Sequence, residues 1–169
     1  FSDLFAADSR QTETILFDIR LPRILLAICV GAVLSSTGAV MQGLFRNPLA
    51  DPSLIGVSSG ASVGASLMIV AAGGFIQSGA LIGLSLVAVG AFVGGFVATL
   101  LVYRLATSGI GTSVTTMLLA GIAIAAIAGA LNSLLSYFSD NDMLRQISLW
   151  QMGNLSGASW TKVTIMASV

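Results

Sequence analysis

Residues 52–103 read PSLIGVSSGASVGASLMIVAAGGFIQSGALIGLSLVAVGAFVGGFVATLLVY, 52 positions without one Asp, Glu, Lys, Arg or His. A helix crosses the hydrocarbon core of a bilayer with roughly 20 apolar residues, so this run is long enough to cross twice. As a loop or a core helix in water it would leave a large apolar surface exposed. The expected fold is all-α, a polytopic transmembrane helical bundle.

The rest of the chain has the same character. Of its 169 residues, 56% are hydrophobic and 8% charged, against about 25% charged in soluble domains. Mean hydropathy is +0.97. A net charge of zero and a pI near 6.2 offer no basic surface, so no nucleic-acid partner is expected. The single cysteine, Cys29, sits in an apolar run, and no disulfide can close within the chain. There is no histidine, which removes the commonest metal ligand and the commonest general base. Neither a metal site nor a cofactor is expected. Phe1–Arg23, mixed polar and acidic, does not read as a signal peptide.

Charges, glycines and prolines mark the spans. Ile24–Phe45 is uncharged and bracketed by Arg23 and Arg46, about 33 Å long as a helix. Arg46–Pro52 (RNPLADP) is a polar loop whose two prolines stop helices. The long run divides at Gly73-Gly74 and Gln77-Ser78-Gly79, giving one span over about Leu54–Ala72 and another over about Ala80–Tyr103. Arg104–Ser113 makes a second polar turn, Val114–Phe138 a fourth span, and Ser139–Arg145 a charged loop. Trp150 and Trp160 flank a Gly/Ser segment as interfacial aromatics do, and a further span begins near Trp160. Residues 1–169 thus form a single transmembrane domain.

Gly56, Gly60 and Gly64 recur every four residues, as do Gly79/Gly83, Gly90/Gly94 and Gly121/Ala125/Gly129. Small residues at that spacing share one helix face and let backbones approach closely. Tight packing is the plain reading, and sliding between two conformations is the other.

Patterns that would carry catalysis fail on context. Gly56-Val57-Ser58-Ser59-Gly60 matches G-x-S-x-G by letter, but a serine elbow needs a strand-to-helix turn and a base. No G-x-x-x-x-G-K-[ST] loop is present, so ATP is not hydrolysed here by that route. No carboxylate cluster lies inside a span, which argues against a proton- or sodium-coupled carrier. The chain reads as a transport subunit rather than an enzyme, with no catalytic residue. Polar residues within spans are Ser35, Ser36, Thr37 and Gln42 in the first, and Asn132, Ser133 and Ser136 in the fourth. Either they bond between helices or they line a pathway. Arg20 and Arg23, around Pro22, either snorkel to headgroups or meet a partner.

Arg20-Leu21-Pro22-Arg23, Gly38-Ala39-Val40-Met41-Gln42, Asn47-Pro48-Leu49-Ala50-Asp51-Pro52 and Leu54-Ile55-Gly56-Val57-Ser58-Ser59-Gly60-Ala61 form a specific set. Leu118-Leu119-Ala120-Gly121 and Trp150-Gln151-Met152-Gly153 extend it. The set resembles the FecCD-type permeases of bacterial ABC importers for iron chelates, haem and cobalamin, a type II importer fold. The likeness covers essentially the whole chain and corresponds to roughly spans two to six of a permease about twice as long, so the chain reads as a fragment. It implies that Arg20 and Arg23 face the periplasm and pair with glutamates of a substrate-binding protein, where complementary charge sets register and encounter rate. It also implies a cytoplasmic gate at Asn47 and Leu49, with another layer at Val114 and Thr115. The family often has paired Thr/Ser in that layer, and Val114 departs from this. By the same resemblance, the fourth span lines a pathway at a permease homodimer interface. Two separate ATPase subunits would drive the alternation, in a multi-pass protein of the bacterial inner membrane.

Charge bias points the other way on orientation. Arg10, Arg20, Arg23 and Arg145 fall on one side and only Arg46 and Arg104 on the other, which would place the first side in the cytoplasm. The resemblance places it in the periplasm, and docking gives those arginines another reason to exist. The expected function is the permease subunit of an ATP-driven importer moving an iron chelate from periplasm to cytoplasm. Haem is favoured by the wording of Phe45–Pro52 and Gly153–Trp160, with a ferric siderophore next. The alternative is a passive channel or membrane scaffold without ATPase coupling. Neighbouring genes for an ATPase and a binding protein would separate the two.

Overall fold

The computed structural model describes residues 12–71, 81–108, 111–155 and 157–167. Among these, six α-helices follow one another: α1 (Leu21–Phe45), α2 (Val57–Ala71), α3 (Leu81–Ala106), α4 (Val114–Tyr137), α5 (Asn141–Met152) and α6 (Trp160–Ala167). Thr14–Phe45, Leu86–Ala106 and Val114–Tyr137 are each long and apolar enough to cross a membrane. The chain divides into two compact units, Phe1–Val40 with Asn154–Val169, and Met41–Gly153.

In the first unit a π-helical run, Thr14–Arg20, leads directly into α1, so helix begins upstream of the expected span. In a π-helix each carbonyl accepts from the N–H five residues on, and the Leu21 N–H reaches the Leu16 carbonyl. The next carbonyl, that of Phe17, would need an N–H from Pro22, which has none. The indole Nε1–H of Trp160 donates to it instead, at 3.1 Å, and ties α6 to this run. Ser35, Ser36 and Thr37 donate to the carbonyls of Gly31, Ala32 and Val33 at 2.7, 2.8 and 2.9 Å. Their hydroxyl protons are satisfied within their own helix, so α1 carries them without a partner helix.

The second unit starts from a tight loop. Arg46 takes a left-handed backbone at φ 48°, and Asn47 Oδ1 accepts from the Leu49 N–H at 2.9 Å, an Asx turn. Asp51 then caps a 3₁₀ turn, Pro52–Ile55, accepting from the Ser53 N–H at 2.7 Å. Gly56, at φ 78°, closes that turn, so α2 opens at Val57 rather than at Leu54. Its 15 residues span only about 22 Å. With the 3₁₀ turn before it the segment reaches about 30 Å, the thickness of a bilayer's apolar core.

Helices α2 and α3 pack antiparallel through glycine. Gly60 faces Gly94 and Gly64 faces Gly90, and a Cβ on any of the four would fall inside contact with the opposite backbone carbonyl. Gly56 leaves this face despite its four-residue spacing and meets Ile124 and Gly121 of α4. Helix α4 runs parallel to α2: Gly121 lies against the Leu54 carbonyl, and Asn132 reaches Ser62. The pair Gly79/Gly83 and the expected break at residues 73–79 fall outside the residues described in full.

Two further differences from expectation have local causes. Helix α3 continues past Tyr103 to Ala106, with Arg104 in its last turn, where a cation favours the carbonyl end. A short antiparallel pair, β1 (Thr107–Ser108) and β2 (Gly111–Thr112), follows, and Ser113 caps α4. Ser139–Arg145, expected as a charged loop, instead contains the start of α5. Asp140 accepts from the Met143 N–H at 2.8 Å, and Ile147 is buried with Ala65, Ile69 and Val87 while Met143 packs beside them. A capped amphipathic stripe outweighs the charges of Asp142 and Arg145, which stay on the exposed face.

Candidate functional site

Helix α2 presents two different faces. Gly60 and Gly64 lie about 150° around the axis from Ser59 and Ser62, so the face bearing the glycines meets α3 while the hydroxyls turn away. The Ser62 Oγ accepts from Asn132 Nδ2 of α4 at 3.0 Å and from Gln151 Nε2 of α5 at 3.3 Å. Three helices thus converge on one hydroxyl oxygen.

Around it lies a polar trough. One cavity of about 610 Å³ is lined by Ser59, Ser62, Asn132, Ser133, Ser136 and Gln151, with Ala125 and Gly129. A second, of about 660 Å³, shares Ser59, Ser62 and Gln151 and adds Trp150 and Met152 at the end of α5. Among the described residues no Asp, Glu, Lys or Arg lines either cavity. Ser133 donates to its own helix at Gly129, 3.0 Å. Asn132 Oδ1 is buried and finds no hydrogen-bond partner among the described residues, a cost of about 1–3 kcal/mol. A third cavity, about 440 Å³, is lined among the described residues by apolar side chains and glycine, Val63, Leu67, Val93, Val97 and Ile127 among them. Among the described residues no group of three or more His, Cys, Asp or Glu comes together to hold a metal.

Of the positions expected for docking or gating, none is among the residues lining either polar cavity. Arg20 and Arg23 are exposed and straddle Pro22, which is fully buried. Three residues apart, they share a helix face. The Asn47 side chain is engaged with the Leu49 N–H, and Leu49 is 84% exposed. Val114 and Thr115 are exposed in the first turn of α4. Because α2 and α4 run parallel, the loop before α2 and the start of α4 sit at the same end of the second unit. Asp51 belongs to that end, and its hydrogen bonds from the Ser53 side chain and backbone hold its carboxyl below the usual carboxylate range. The trough is remote from this group, since Asn132 comes about 27 Å after Val114 along α4. Sequence reading found Asn132, Ser133 and Ser136 but missed Ser59, Ser62 and Gln151. A trace was available, since Ser59 and Ser62 fall three apart on one face of a helix that also carries Ser58 and Ser66.

The comparisons with known proteins agree with this architecture. The sequence model of the FecCD transport family matches residues 1–169. The hemin transport system permease protein HmuU of Yersinia pestis is 45% identical over 152 residues, covering 90% of this chain and 44% of that protein. The vitamin B12 import system permease protein BtuC of Escherichia coli O6:H1 is 40% identical over 161 residues, 95% of this chain and 47% of that one. A metal-chelate type ABC transporter in an inward-facing conformation superposes with a TM-score of 0.76 at 36% identity, over 94% of this chain and 47% of its own. The chain therefore spans less than half the length of the relatives it matches. Matched from first residue to last by the family's model, and by relatives in both sequence and fold, this chain belongs to the FecCD transport family.

Proposed function

We propose that this chain forms part of the permease of an ATP-driven importer that carries an iron chelate from periplasm to cytoplasm. The observation that carries the reading is the family match over residues 1–169, in a chain with long uncharged runs and a glycine seam. As a multi-pass member of that family it is a protein of the cell inner membrane. Haem is the favoured cargo: the relative at 45% identity is a hemin permease, and the wording of segments 45–52 and 153–160 leans the same way. Relatives named for vitamin B12 make cobalamin the next cargo to test.

The partners follow from the same reading. Arg20 and Arg23 dock a periplasmic binding protein, two ATPase subunits supply the work, and two permeases enclose the pathway. Asn47, Leu49, Val114 and Thr115 form the cytoplasmic gate, and their shared end of the second unit supports that grouping. Hydrolysis of ATP belongs to the separate subunits. In cells lacking their own permease, the full transporter should restore ATP-dependent uptake of hemin. Reversing Arg20 and Arg23 to glutamate together should weaken capture of the binding protein. Uptake that persists without the ATPase would overturn the importer reading in favour of a passive channel.

A further inference from the structure

We infer that Trp160 is a positioning residue for the arginine pair, selecting by one hydrogen bond the helical register in which Arg20 and Arg23 are presented, an inference that rests on the docking reading. Pro22 sets the problem. Lacking an N–H, it leaves one carbonyl of the preceding turn without a donor in either register: that of Asp18 in an α-helix, that of Phe17 in a π-helix. The Leu21 N–H reaches Leu16 rather than Phe17, so the run has taken the second register. There the Trp160 indole fills the vacancy at 3.1 Å. In the first register Leu21 would itself donate to Phe17, which makes the indole redundant, and the Pro22 ring would press on the Asp18 carbonyl.

The donor is held ready. Trp160 opens α6, and the turn around it is tied down. The Ala158 N–H donates to the Leu155 carbonyl at 3.1 Å, the Val163 N–H to the Ser159 carbonyl at 3.0 Å, and Lys162 Nζ to the Gly157 carbonyl at 2.7 Å. All of these residues belong to the first unit. The junction of the two registers falls between the arginines, since the π-helical run ends at Arg20 and α1 begins at Leu21. Register therefore sets the angle of Arg20 about the axis relative to Arg23. Loss of the indole bond lets the run return to α and turns Arg20 out of that setting. One bond thus couples α6 to the docking arm through an element with two discrete arrangements. A plain tie between α6 and this run would act whatever stood at position 22, whereas a register selector works only while proline stands there.

The test reads register and docking separately in the full transporter. Glu13 and Asp18 line one cavity in the π register, whereas residues five apart in an α-helix stand about 140° from each other. In a background free of other cysteines, Cys29→Ser included, Glu13→Cys and Asp18→Cys make a pair for dibromobimane to bridge. Trp160→Phe keeps the ring and removes the N–H, and it should slow bridging about fivefold, the weight of one hydrogen bond. Pro22→Ala supplies a donor and admits the commoner α register. It should slow bridging at least as much, and Trp160→Phe should add nothing to it. Without the cysteine pair, the same substitutions should weaken binding-protein affinity by a similar factor, again without addition in the double variant. Equal bridging rates with and without the indole, or additive effects in the double variant, overturn register selection. Slower bridging with unchanged affinity overturns the positioning role. Should Trp160→Phe fail to reach the membrane, Pro22→Ala decides alone, and unchanged bridging there overturns the inference. Reversal of Arg20 and Arg23 to glutamate checks docking itself. Affinity unmoved by that reversal means that the docking reading fails, and the positioning role with it, while the bridging rates still report the register.

Discussion

Replacing Gly64 with alanine should open the seam between α2 and α3, and the structure gives the size of the effect. A Cβ on Gly90 would sit 2.7 Å from the Gly64 carbonyl oxygen, where ordinary contact begins at 3.4 Å, and a Cβ on Gly64 falls closer still to the Gly90 carbonyl. Neither obstacle is a flexible side chain, so the two helices must separate along their length. Overpacking of that kind costs about 1–3 kcal/mol. Alanine also gains about 0.8–1.0 kcal/mol of helix propensity over glycine, which would mask part of the loss. Gly129→Ala is the matched control: it lies inside α4, and nothing stands within 4 Å of its Cβ position. The difference between the two variants isolates the clash. At roughly 2–4 °C per kcal/mol for a chain of this size, Gly64→Ala should melt about 2–12 °C below Gly129→Ala in thermal unfolding in detergent micelles. Equal melting temperatures, or a higher one for Gly64→Ala, would refute the seam.

Three further outcomes follow from local geometry. Asn132→Leu removes a bond worth about 0.6 kcal/mol in a membrane and an unpaired carbonyl costing about 1–3 kcal/mol. Denaturation should show stability unchanged or raised, and a clear loss would mean that Oδ1 has a partner. The Asp51 cap should be pH-dependent with a definite sign. Its folded carboxyl titrates below the unfolded value of about 3.9, so the cap is fully present above that value and is lost as pH falls through the folded one. Amide exchange at Ser53 should quicken over that range, and Asp51→Asn, which keeps an acceptor, should flatten the profile. Asp140→Ala removes the cap of α5 at about 1 kcal/mol, and exchange at the Met143 amide should rise roughly fivefold.

How much of this could be read from the residues depends on how far apart the interacting groups stand. The membrane class and the positions of the long helices were legible, because lipid demands unbroken apolar runs and charges interrupt them. Gly60/Gly64 and Gly90/Gly94 were legible as packing faces for the same local reason. That they face each other in inverted order is a property of the fold, not of either helix. Gly56 shows where periodicity misleads. The 3₁₀ turn Pro52–Ile55 advances three residues per turn, and the left-handed Gly56 resets the phase, so the four-residue spacing no longer marks one face. Helix α5 was obscured by counting Asp140, Asp142 and Arg145 as a loop, when Asp140 is its cap and the other two sit on its wet side.

The trough was out of reach for a different reason. Ser62 stands 70 residues from Asn132 and 89 from Gln151, and each is unremarkable where it stands. Yet the legible seam accounts for the illegible site. Glycine contact on one face of α2 fixes both its distance from α3 and its rotation about its own axis. Fixing that rotation aims Ser59 and Ser62, on the far face, at α4 and α5. A face centred on Gly60 and Gly64 thereby positions the face that has chemistry, since polar groups hold their geometry only on a rigid support. The same reasoning couples the two: loosening the seam through Gly64 should also lengthen the bond from Gln151 to Ser62, the weaker of the pair at 3.3 Å, before it disturbs the bond from Asn132.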